Sequence, residues 1–503
     1  MTISYLRSMV VLYVLAALVA AILYYYITHA TDSKSRILSR IPGPKGIPIL
    51  GNALQIDMVK IHDQFLGWSK TYGEIFLLNL AGESVVVLNS HEAINEALIR
   101  KSTDFAGRPG ESFRIQYLFS QKDIIFRDFT DDFKRLKKIV YKGLRYYGDE
   151  KEQIIRIATE EIDECMRKFS ETDGMAFDPD PAIYVCIINI LVGLIEGKRL
   201  DETNKRFADL VEMQDAFTAS FSAGKGAEID MFPFLRFFGN ETFKSMQKGM
   251  KYRNDIMEEI IEDSKKDYDP DNKRHLLDHF ISEMTFPEGS FDKKAVIYIL
   301  GNLYGAGLVT SHVSFATFLL TLITYPDVQK KLQNEVDTVI GQREVKMEYR
   351  EEMPYLNATL LELLRYISHV PLAVPHKTTV DTSVVGYDIP KNTQVFMNLY
   401  AMHHDDSVFR DPWEFKPERW LDDDGQLVSI EERNKVVPFG GGRRACPGEL
   451  LATTRMFLFS ANILKRFNIL PVEGEPACPD PRGFKLGIVL EPNKFKIRAV
   501  KRL

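Results

Sequence analysis

The chain has 503 residues, of which 45% are hydrophobic, and it carries a net charge of −6. This apolar content is enough for a large buried core, and the near balance of charges excludes the strong basic excess typical of nucleic-acid-binding proteins. The four cysteines (Cys165, Cys186, Cys446 and Cys478) are widely spaced and form no C-x-x-C pair, which argues against a disulfide scaffold or a zinc ribbon.

The first predicted element is a membrane anchor. Residues 9–27 contain no charge and are almost entirely apolar, and a helix of this length spans about 30 Å of hydrocarbon. Tyrosines end this stretch, and the excess of basic residues after it over those before it places the rest of the chain in the cytosol. The alternative is a cleaved signal peptide, which has a shorter apolar core and a small-residue cleavage site.

Three segments are predicted: an anchor over residues 1–31, a basic and Pro/Gly-rich hinge over residues 32–48, and a folded domain over residues 49–503. The prolines and glycines of the hinge break any helix that would continue from the anchor into the domain. The hinge is either an ordinary linker or a stiff elbow that orients the domain against the membrane surface.

Helices dominate the predicted domain, which makes the fold class mainly α with a minor β region. Apolar periodicity predicts helices over residues 132–170, 245–265, 296–324 and 326–341. Pro326 opens the last of these helices and Gly341 closes it. Strand patterns are confined to a hairpin over residues 74–89 that turns at Ala81-Gly82-Glu83, to residues 384–397 around Pro390-Lys391-Asn392, and to residues 494–500.

The most informative segment is residues 439–448, called the cysteine loop below. Three successive glycines shape a tight turn before Cys446, and backbone N–H groups in such a turn can point at the sulfur. Arg444 adds positive charge, as does the N-terminus of an apolar helix predicted over residues 450–464. Although most lone cysteines are only buried apolar residues, these features predict a stabilised thiolate, which could be a nucleophile, a metal ligand or a redox sensor.

The loop resembles the haem-binding signature of the cytochrome P450 family, F-G-x-G-x-R-x-C-x-G, at Phe439, Gly440, Gly442, Arg444, Cys446 and Gly448. The resemblance implies the P450 fold behind an N-terminal transmembrane helix, with residues 49–503 as the haem-thiolate catalytic domain. It also implies haem b (iron protoporphyrin IX), with Cys446 as the thiolate ligand of the iron and Arg444 at a haem propionate. His376 resembles a family histidine that meets a propionate.

Two further motifs resemble those that hold the family's haem pocket together. Glu362 and Arg365 match the E-x-x-R pair, lie on one helix face and have leucine neighbours that predict burial. Arg419 matches the arginine that completes a buried structural triad with this pair. Since a buried charge without its partner is costly, these residues are expected to hold the fold.

The family motif W-x-x-x-R, whose two residues contact the haem, is altered here. Phe133 replaces the tryptophan and Lys137 replaces the arginine, so an indole N–H and a guanidinium fork are lost. Lys137 is still expected to contact the cofactor. The basic residues of this segment are either a solvated helix face or a docking surface for an acidic electron donor: Lys134, Arg135, Lys137, Lys138 and Lys142.

The helix predicted over residues 296–324 carries a motif that resembles the family's A-G-x-D/E-T-T/S. Ala306 and Gly307 are expected to leave room over the iron, and Thr310 is the expected catalytic hydroxyl. Without the resemblance, the glycines would be close-packing points between helices. Val309 stands where the family has an acid, so either water and Thr310 carry the proton relay or the chemistry differs from plain hydroxylation.

Nearly the whole chain resembles microsomal animal members of the family, most of all the steroid 17-alpha-hydroxylase/17,20-lyase group, or an invertebrate relative with another lipophilic substrate. This implies a single-pass endoplasmic reticulum membrane protein with a cytosolic catalytic domain. It implies that one oxygen atom from O2 is inserted into a steroid or related lipid, with electrons from NADPH through a separate NADPH–cytochrome P450 reductase and cytochrome b5 as an optional donor. Pocket walls are expected at Ala306, Val374 and Ile488.

Two alternative functions stay open. Val309 motivates a haem-thiolate isomerase or dehydratase that needs no external electrons, and the other alternative is a non-catalytic haem protein that senses lipids. No G-x-G-x-x-G lies between a predicted strand and a helix, so no reductase is fused to the chain. His403 and His404 are adjacent on a predicted strand, where successive side chains point to opposite faces, and no metal site is expected there.

Overall fold

The structure is a computed structural model that describes Tyr13 and residues 33–48, 50–145, 152–221, 226–284, 291–475 and 477–502. The predicted transmembrane helix over residues 9–27 lies, apart from Tyr13, outside the described residues. In the predicted hinge, helix α1 (Ser33–Leu38) precedes extended chain, where Pro42 O accepts a hydrogen bond from Leu77 N at 2.8 Å. The Pro/Gly segment is therefore docked on the folded domain.

Most described residues lie in helices. In the first half of the chain these are α2 (Ile61–Tyr72), α3 (His91–Asn95), α4 (Phe113–Phe119), α5 (Asp131–Leu144), α6 (Glu152–Glu171), α7 (Asp180–Glu196), α8 (Lys205–Ser220), α9 (Ala227–Met231) and α10 (Glu241–Lys266). In the second half they are α11 (Leu276–Met284), α12 (Lys293–Thr324), α13 (Pro326–Val339), α14 (Pro354–Ile367), α15 (Leu399–His403), α16 (Ile430–Arg433) and α17 (Glu449–Arg466). A π-helical turn, Glu96–Arg100, continues α3.

The strands are short. They are β1 (Ile75–Leu80), β2 (Glu83–Leu88), β3 (Ala176–Phe177), β4 (His376–Lys377), β5 (Thr382–Val384), β6 (Tyr387–Ile389), β7 (Gln394–Met397), β8 (Phe467–Pro471), β9 (Lys485–Leu486), β10 (Leu490–Glu491) and β11 (Ile497–Lys501). One sheet has the order β1-β2-β7-β4, in which only β2 and β7 are parallel. A second sheet has the order β3-β11-β8, and β5–β6 and β9–β10 are antiparallel pairs.

Helix α12 lies at the centre of the molecule. Asp292 caps its N-terminus by accepting a hydrogen bond from Ala295 N at 2.7 Å, and Pro326 ends it and opens α13. Among the described residues, α12 is the helix long and apolar enough to cross a membrane, but 78% of its apolar stretch is buried inside the protein. It is therefore a core helix, packed against α7, α10 and α17.

The predicted fold class, mainly α with a minor β region, is confirmed. The hairpin is also confirmed, and Ala81 and Gly82 at its turn have φ of 52° and 98°, as a tight two-residue turn requires. The helix predicted over residues 132–170 is instead two helices, α5 and α6. The strand predicted from residue 494 begins at Ile497.

The prediction that His403 and His404 lie on a strand is wrong, because both lie at the C-terminal end of α15. The His403 ring contacts Ser368 Oγ at 2.7 Å and Val437 N at 3.1 Å. Both ring nitrogens of His404 lie within 3.1 Å of backbone carbonyl oxygens. The two imidazoles thus link separate segments of the chain. Within the described ranges, no group of three or more His, Cys, Asp or Glu side chains is placed so that it could hold a metal ion.

Candidate active site

The cysteine loop folds back on itself before α17 begins. Cys446 N donates a hydrogen bond to Phe439 O at 2.9 Å, and a short 3-10 turn, Gly442–Arg444, lies between them. Gly442 has a φ of +60°, and a Cβ there would lie 2.0 Å from Leu98 O. Only glycine therefore allows the loop to pack this closely against the π-helical turn.

The Cys446 side chain is exposed, although its surroundings are those of a buried group. Burial raises the pKa of its thiol; the Gly448 N–H lowers it, Glu449 raises it further and Arg455 lowers it. The Gly448 N–H thus acts as the loop predicted, since it lowers the pKa of the thiol, but burial has the larger, opposite effect. Residue 446 is therefore accessible although many atoms surround it, and a metal ion bound at the sulfur would displace the thiol proton.

Arg444 is held by partners other than Cys446. Nε donates to Ala106 O at 2.6 Å and Nη2 to Arg127 O at 2.8 Å, and the guanidinium lies 3.7 Å from the centroid of the Phe133 ring. Nη1 is buried and has no hydrogen-bond partner in the described part of the chain. Because buried donors are normally satisfied and arginine pairs well with carboxylates, this free donor fits a haem propionate.

His376 lies in the same region as Arg444. Its Nδ1 is 2.7 Å from Phe105 O, and burial lowers its pKa well below the usual value, as do the positive charges of Arg108 and Arg444. The ring is therefore neutral, and its proton is on the Nδ1 that faces the carbonyl, which leaves only a lone pair on Nε2. For Nε2 to donate to a propionate, the ring must take up a second proton.

Arg108 is a positioning residue to which the sequence motifs assigned no role. It is 5% exposed, and it donates to Ile125 O, Val374 O and Pro375 O at 2.9–3.0 Å. Arg108 therefore fixes the segment that presents both His376 and Val374. The carbonyls of Val374 and Pro375 lie 266 and 267 residues further along the chain than Arg108. The sequence around Arg108 therefore could not indicate this role.

Lys137 reaches the cysteine loop from α5. Its Nζ donates to Arg443 O at 2.6 Å and lies 4.8 Å from the centroid of the Tyr141 ring, while Tyr141 OH donates to Ala445 O at 2.7 Å. Burial lowers the pKa of Lys137, and so do the charges of Arg444 and Arg443. Helix α5 is thus tied to the cysteine loop at the carbonyls of Arg443 and Ala445. The other basic residues of α5 are exposed: Lys134, Arg135, Lys138 and Lys142.

The middle of α12 presents accessible surface within the core. Ala306 is exposed although Leu308 and Val309 nearby are buried. Thr310, one turn further, is partly exposed, and its Oγ1 donates to Ala306 O at 2.7 Å. Residues four apart share a helix face, so Ala306 and Thr310 border one open space.

Gly307 does not share this face. A Cβ on Gly307 would lie 2.9 Å from Leu191 Cδ2 of α7, so the glycine allows two helices to pack closely. The expectation that Gly307 opens room over the iron is wrong. Val309 is buried in an apolar cluster with Val313 and Val489, so hydrocarbon surrounds the position where the family motif has an acid.

The β9–β10 hairpin lies beside α12, because Val489 in its turn belongs to the same apolar cluster as Val309 and Val313. Ile488, in the turn of this hairpin, is 39% exposed. Val374 is partly buried, and its carbonyl accepts from Arg108. The two expected pocket residues thus lie in segments whose positions are fixed. Ile488 is followed by Val489, which packs in the apolar cluster, and the backbone of Val374 is held by Arg108.

Glu362, Arg365 and Arg419 form the buried triad that was predicted. Both Glu362 oxygens accept from Arg365, through Nε and Nη2 at 2.8 Å, and one also accepts from Arg419 Nε at 3.0 Å. Trp420 Nε1 adds a donor at 2.9 Å. Arg365 Nη1 donates to His403 O and Pro412 O at 2.8 and 2.9 Å, so the pair on α14 ties together the chain that leads to the cysteine loop.

Residues 41–499 match the family model described as Cytochrome P450. The chain is 32% identical over 497 residues to a steroid 17-alpha-hydroxylase/17,20 lyase of Squalus acanthias, which covers 96% of each chain. It is 30% identical over 505 residues to cytochrome P450 1A1 of Opsanus tau, covering 97% of this chain and 95% of that one. Cytochrome P450 1A1 of Platichthys flesus is also 30% identical, over 483 residues, 92% of this chain and 91% of that one.

These matches extend far beyond the cysteine loop and include the triad and α12. Their animal sources agree with the predicted branch of the family, and they favour a haem monooxygenase over the isomerase, dehydratase and lipid-sensor alternatives. The protein therefore belongs to the cytochrome P450 family, as the resemblance of the cysteine loop predicted, and is a P450 monooxygenase.

Proposed function

We propose that the protein inserts one oxygen atom of O2 into a steroid or related lipid, with electrons that a separate NADPH–cytochrome P450 reductase takes from NADPH. The observation that carries this proposal is the accessible surface of Cys446 and Ala306 inside an otherwise dense molecule. The similarity to a steroid 17-alpha-hydroxylase/17,20 lyase supports the substrate class. The apolar character of α12 supports a lipophilic ligand.

The roles of the site residues follow from their positions. Cys446 holds the haem iron as a thiolate, and the free Nη1 of Arg444, together with His376, receives propionate oxygens. Haem b, when bound, supplies the redox chemistry that activates dioxygen. The remaining signature residues shape the loop: Phe439, Gly440, Gly442 and Gly448. Lys137, which was expected to contact the cofactor, ties α5 to the loop through Arg443 O.

On the opposite wall, the chain's own residues control room and protons. Ala306 leaves space next to its backbone, and Val374 and Ile488 bound the substrate pocket. The Thr310 hydroxyl, which donates to Ala306 O at 2.7 Å, is the group that can turn toward the open space and hold a proton there. Val309 and its apolar neighbours exclude water from the adjacent face.

The function is tested by turnover with purified reductase, NADPH and a panel of steroids and other lipids under isotopically labelled dioxygen. We expect NADPH-dependent products that carry one labelled oxygen atom. Products formed from a hydroperoxide without reductase would favour the isomerase or dehydratase. Tight lipid binding without any product would favour the lipid sensor.

The exposed face of α5 is the docking surface for the reductase, with cytochrome b5 as an optional second donor. Lys134 and Arg135 are paired with Asp131 and Asp132 at their own helix N-terminus, whereas Lys137 and Tyr141 of the same helix bond to the cysteine loop. A partner with an acidic surface that docks on α5 would therefore lie close to the thiolate side of the cofactor.

The protein is held in the endoplasmic reticulum membrane by one transmembrane helix within residues 1–31, and residues 49–503 face the cytosol. An exposed aromatic surface supports contact between the folded domain and the membrane. The segment after α9 exposes an aromatic patch, in which the side chains are 42% to 78% exposed: Phe232, Phe234, Phe237 and Phe238. Contiguous apolar surface of this kind favours an apolar neighbour over water.

The missing acid of the α12 motif gives a first prediction. In the Val309→Asp variant we expect severalfold more product per NADPH and less hydrogen peroxide release, because a carboxyl group one residue before Thr310 restores an exchangeable proton. Product, NADPH consumption and peroxide are measured in the same assay. Val309→Asn is the control, because its side chain has nearly the same shape as that of Asp but carries no acidic proton. If Val309→Asp released as much hydrogen peroxide as the wild type, the missing acid would not limit proton delivery.

His376 gives a prediction on pH. Its pKa is lowered well below 6.5 without haem, and a propionate at Nε2 raises it again, so haem binding takes up a proton. Cys446 loses its thiol proton on binding the iron in the wild type and in a His376 variant alike, so the effect of His376 is read from the ratio of their two haem affinities. The haem affinity of the wild type relative to that of His376→Asn is expected to fall, by up to about tenfold per pH unit, as the pH rises from the lowered pKa toward the raised one. Haem titrations of the apoprotein between about pH 5 and about pH 8 check this expectation.

The matched control for this titration is His376→Asn, which keeps a polar side chain but cannot titrate. Its haem affinity should be weaker than that of the wild type at the acid end, and the difference between the two proteins should shrink as the pH rises. If the two proteins showed parallel pH dependences, His376 would not be the group that takes up the proton.

A further inference from the structure

A second arginine lies on the helix that follows the cysteine loop. Helix α17 continues directly from the loop, since Ala452 N donates to Gly448 O at 2.8 Å, and a Cβ on Gly448 would lie 3.9 Å from Cys446 Sγ. Arg455 follows Gly448 by seven residues, which is about two helical turns, so the two residues share one face of α17. The helix face that carries Arg455 therefore begins beside the sulfur.

The Arg455 side chain folds back along this face toward the cysteine loop. Its Nε donates to Leu451 O at 3.0 Å, one turn closer to the N-terminus of α17, which is the direction in which helical side chains lean. In agreement with this placement, Arg455 lowers the pKa of the Cys446 thiol, and Cys446 raises the pKa of Arg455. The guanidinium and the sulfur therefore lie close enough for their charges to interact.

The positive charge of Arg455 is buried and incompletely satisfied. The residue is 6% exposed, and its Nη1 is buried without a hydrogen-bond partner in the part of the chain that the structure describes. Burial lowers the pKa of Arg455 to about 10, and the groups that oppose this shift are the sulfurs of Cys186 and Cys446 rather than a carboxylate. The guanidinium is thus still charged at neutral pH, and because a buried charge without a counter-charge is costly, a negative partner is expected near it.

A Cys446 thiolate that binds the haem iron supplies this negative partner. Reduction of the iron by one electron adds a further negative charge to the same centre. A fixed positive charge in surroundings of low dielectric constant stabilises the more negative state of a nearby redox centre. Arg444 is held instead at the carbonyls of Ala106 and Arg127, so Arg455 is the better placed of the two arginines to act on the sulfur.

We propose that Arg455 is a positioning residue that acts through Cys446: its buried charge stabilises the thiolate and makes the haem iron easier to reduce. The step that it favours is the transfer of one electron from the reductase to ferric iron, which gives ferrous iron. This inference rests on the proposed role of Cys446 as the ligand of the iron. It assigns to α17 an electrostatic function beyond that of packing in the core.

Spectroelectrochemical titration of the full-length, haem-loaded protein tests the proposal, at about pH 6, where lysine is protonated. Arg455→Met has an unbranched side chain without charge. In this variant we expect the ratio of reduced to oxidised protein at any fixed potential to fall at least about tenfold, which is about 59 mV for a one-electron couple. Arg455→Lys changes the shape but keeps the charge, and its ratio should stay within about threefold of that of the wild type.

Arg253→Met on α10 is the matched control, because Arg253 is also buried, at 2% exposed, but donates to Leu118 O at 2.6 Å, outside the cysteine loop. Its ratio should stay within about twofold of that of the wild type. If Arg455→Met does not retain haem, the uncharged Arg455→Gln provides the same comparison. Retention of haem by Arg455→Lys, with loss from both uncharged variants, would also support a role of the charge.

Three results would overturn the proposal. The first is a wild-type ratio in an uncharged Arg455 variant, and the second is an equally large fall in Arg455→Lys or in Arg253→Met. The third is loss of haem from all three Arg455 variants, because the shape of the side chain rather than its charge would then be required. A wild type without a thiolate-type carbon monoxide spectrum would instead contradict the proposed function.

Discussion

The Cys446→Ala variant is expected to lose the thiolate-type absorption spectrum of the reduced, carbon monoxide-treated protein, together with all NADPH-dependent turnover. An alanine provides no sulfur, and the other two cysteines of the folded core, Cys165 and Cys186, are buried. Burial raises the pKa of the Cys446 thiol, and iron binding is expected to remove its proton. The spectrum therefore reports directly on the bond between Cys446 and the iron.

Cys478 provides the matched control, because it is also a free and exposed cysteine but lies outside the cysteine loop. Cys478→Ala should retain the spectrum and the turnover of the wild type. A Cys446→Ala variant that kept the thiolate-type spectrum would be fatal to the proposed role of this residue.

Glu362→Gln is expected to destabilise the protein by about 3–5 kcal/mol, because it leaves two buried or nearly buried guanidinium groups without their counter-charge. Arg365 and Glu362 have fully buried side chains, and that of Arg419 is 10% exposed. The amide keeps the shape of the side chain, so the loss reflects charge rather than a cavity. The yield of folded protein and the midpoint of thermal unfolding measure the effect.

A surface pair of the same kind supplies the comparison. Glu164 and Arg167 on α6 have the same order and the same spacing of three residues, but their side chains are 28% and 54% exposed. Because exposed ion pairs contribute about 0–1 kcal/mol, Glu164→Gln should leave both measurements nearly unchanged. If Glu362→Gln behaved like Glu164→Gln, the triad would not hold the fold.

Features that depend on neighbours in the sequence could be predicted. The helical period marked α12 and α13, and alternation marked the β1–β2 hairpin, because each pattern is completed within the element itself. The spacing of the cysteine loop led to Cys446, and the spacing of Glu362 and Arg365 led to their ion pair. The position of Arg419 came from the family resemblance.

Features that depend on distant partners could not be predicted. Gly307 was expected to leave room over the iron, but its environment is set by Leu191 on another helix. Arg444 was expected beside the sulfur, yet its nearest partners are the carbonyls of Ala106 and Arg127. Nothing in the local sequence of Arg108 indicates that it binds the carbonyls of Val374 and Pro375, because these lie 266 and 267 positions further along the chain.

The tie between Arg444 and Ala106 joins residues 338 positions apart, and Arg498 bonds to Gly174 O across 324 positions. Strand β11, which completes the β3-β11-β8 sheet, consists of Ile497–Lys501. Strand β11 is synthesised after β3 and β8, the two strands with which it pairs. The sheet therefore cannot be completed before the residues of β11 have been made. Contacts of such long range form slowly and leave apolar surface exposed until they form, so closure of the β3-β11-β8 sheet is expected to be a late step in folding and to benefit from chaperones.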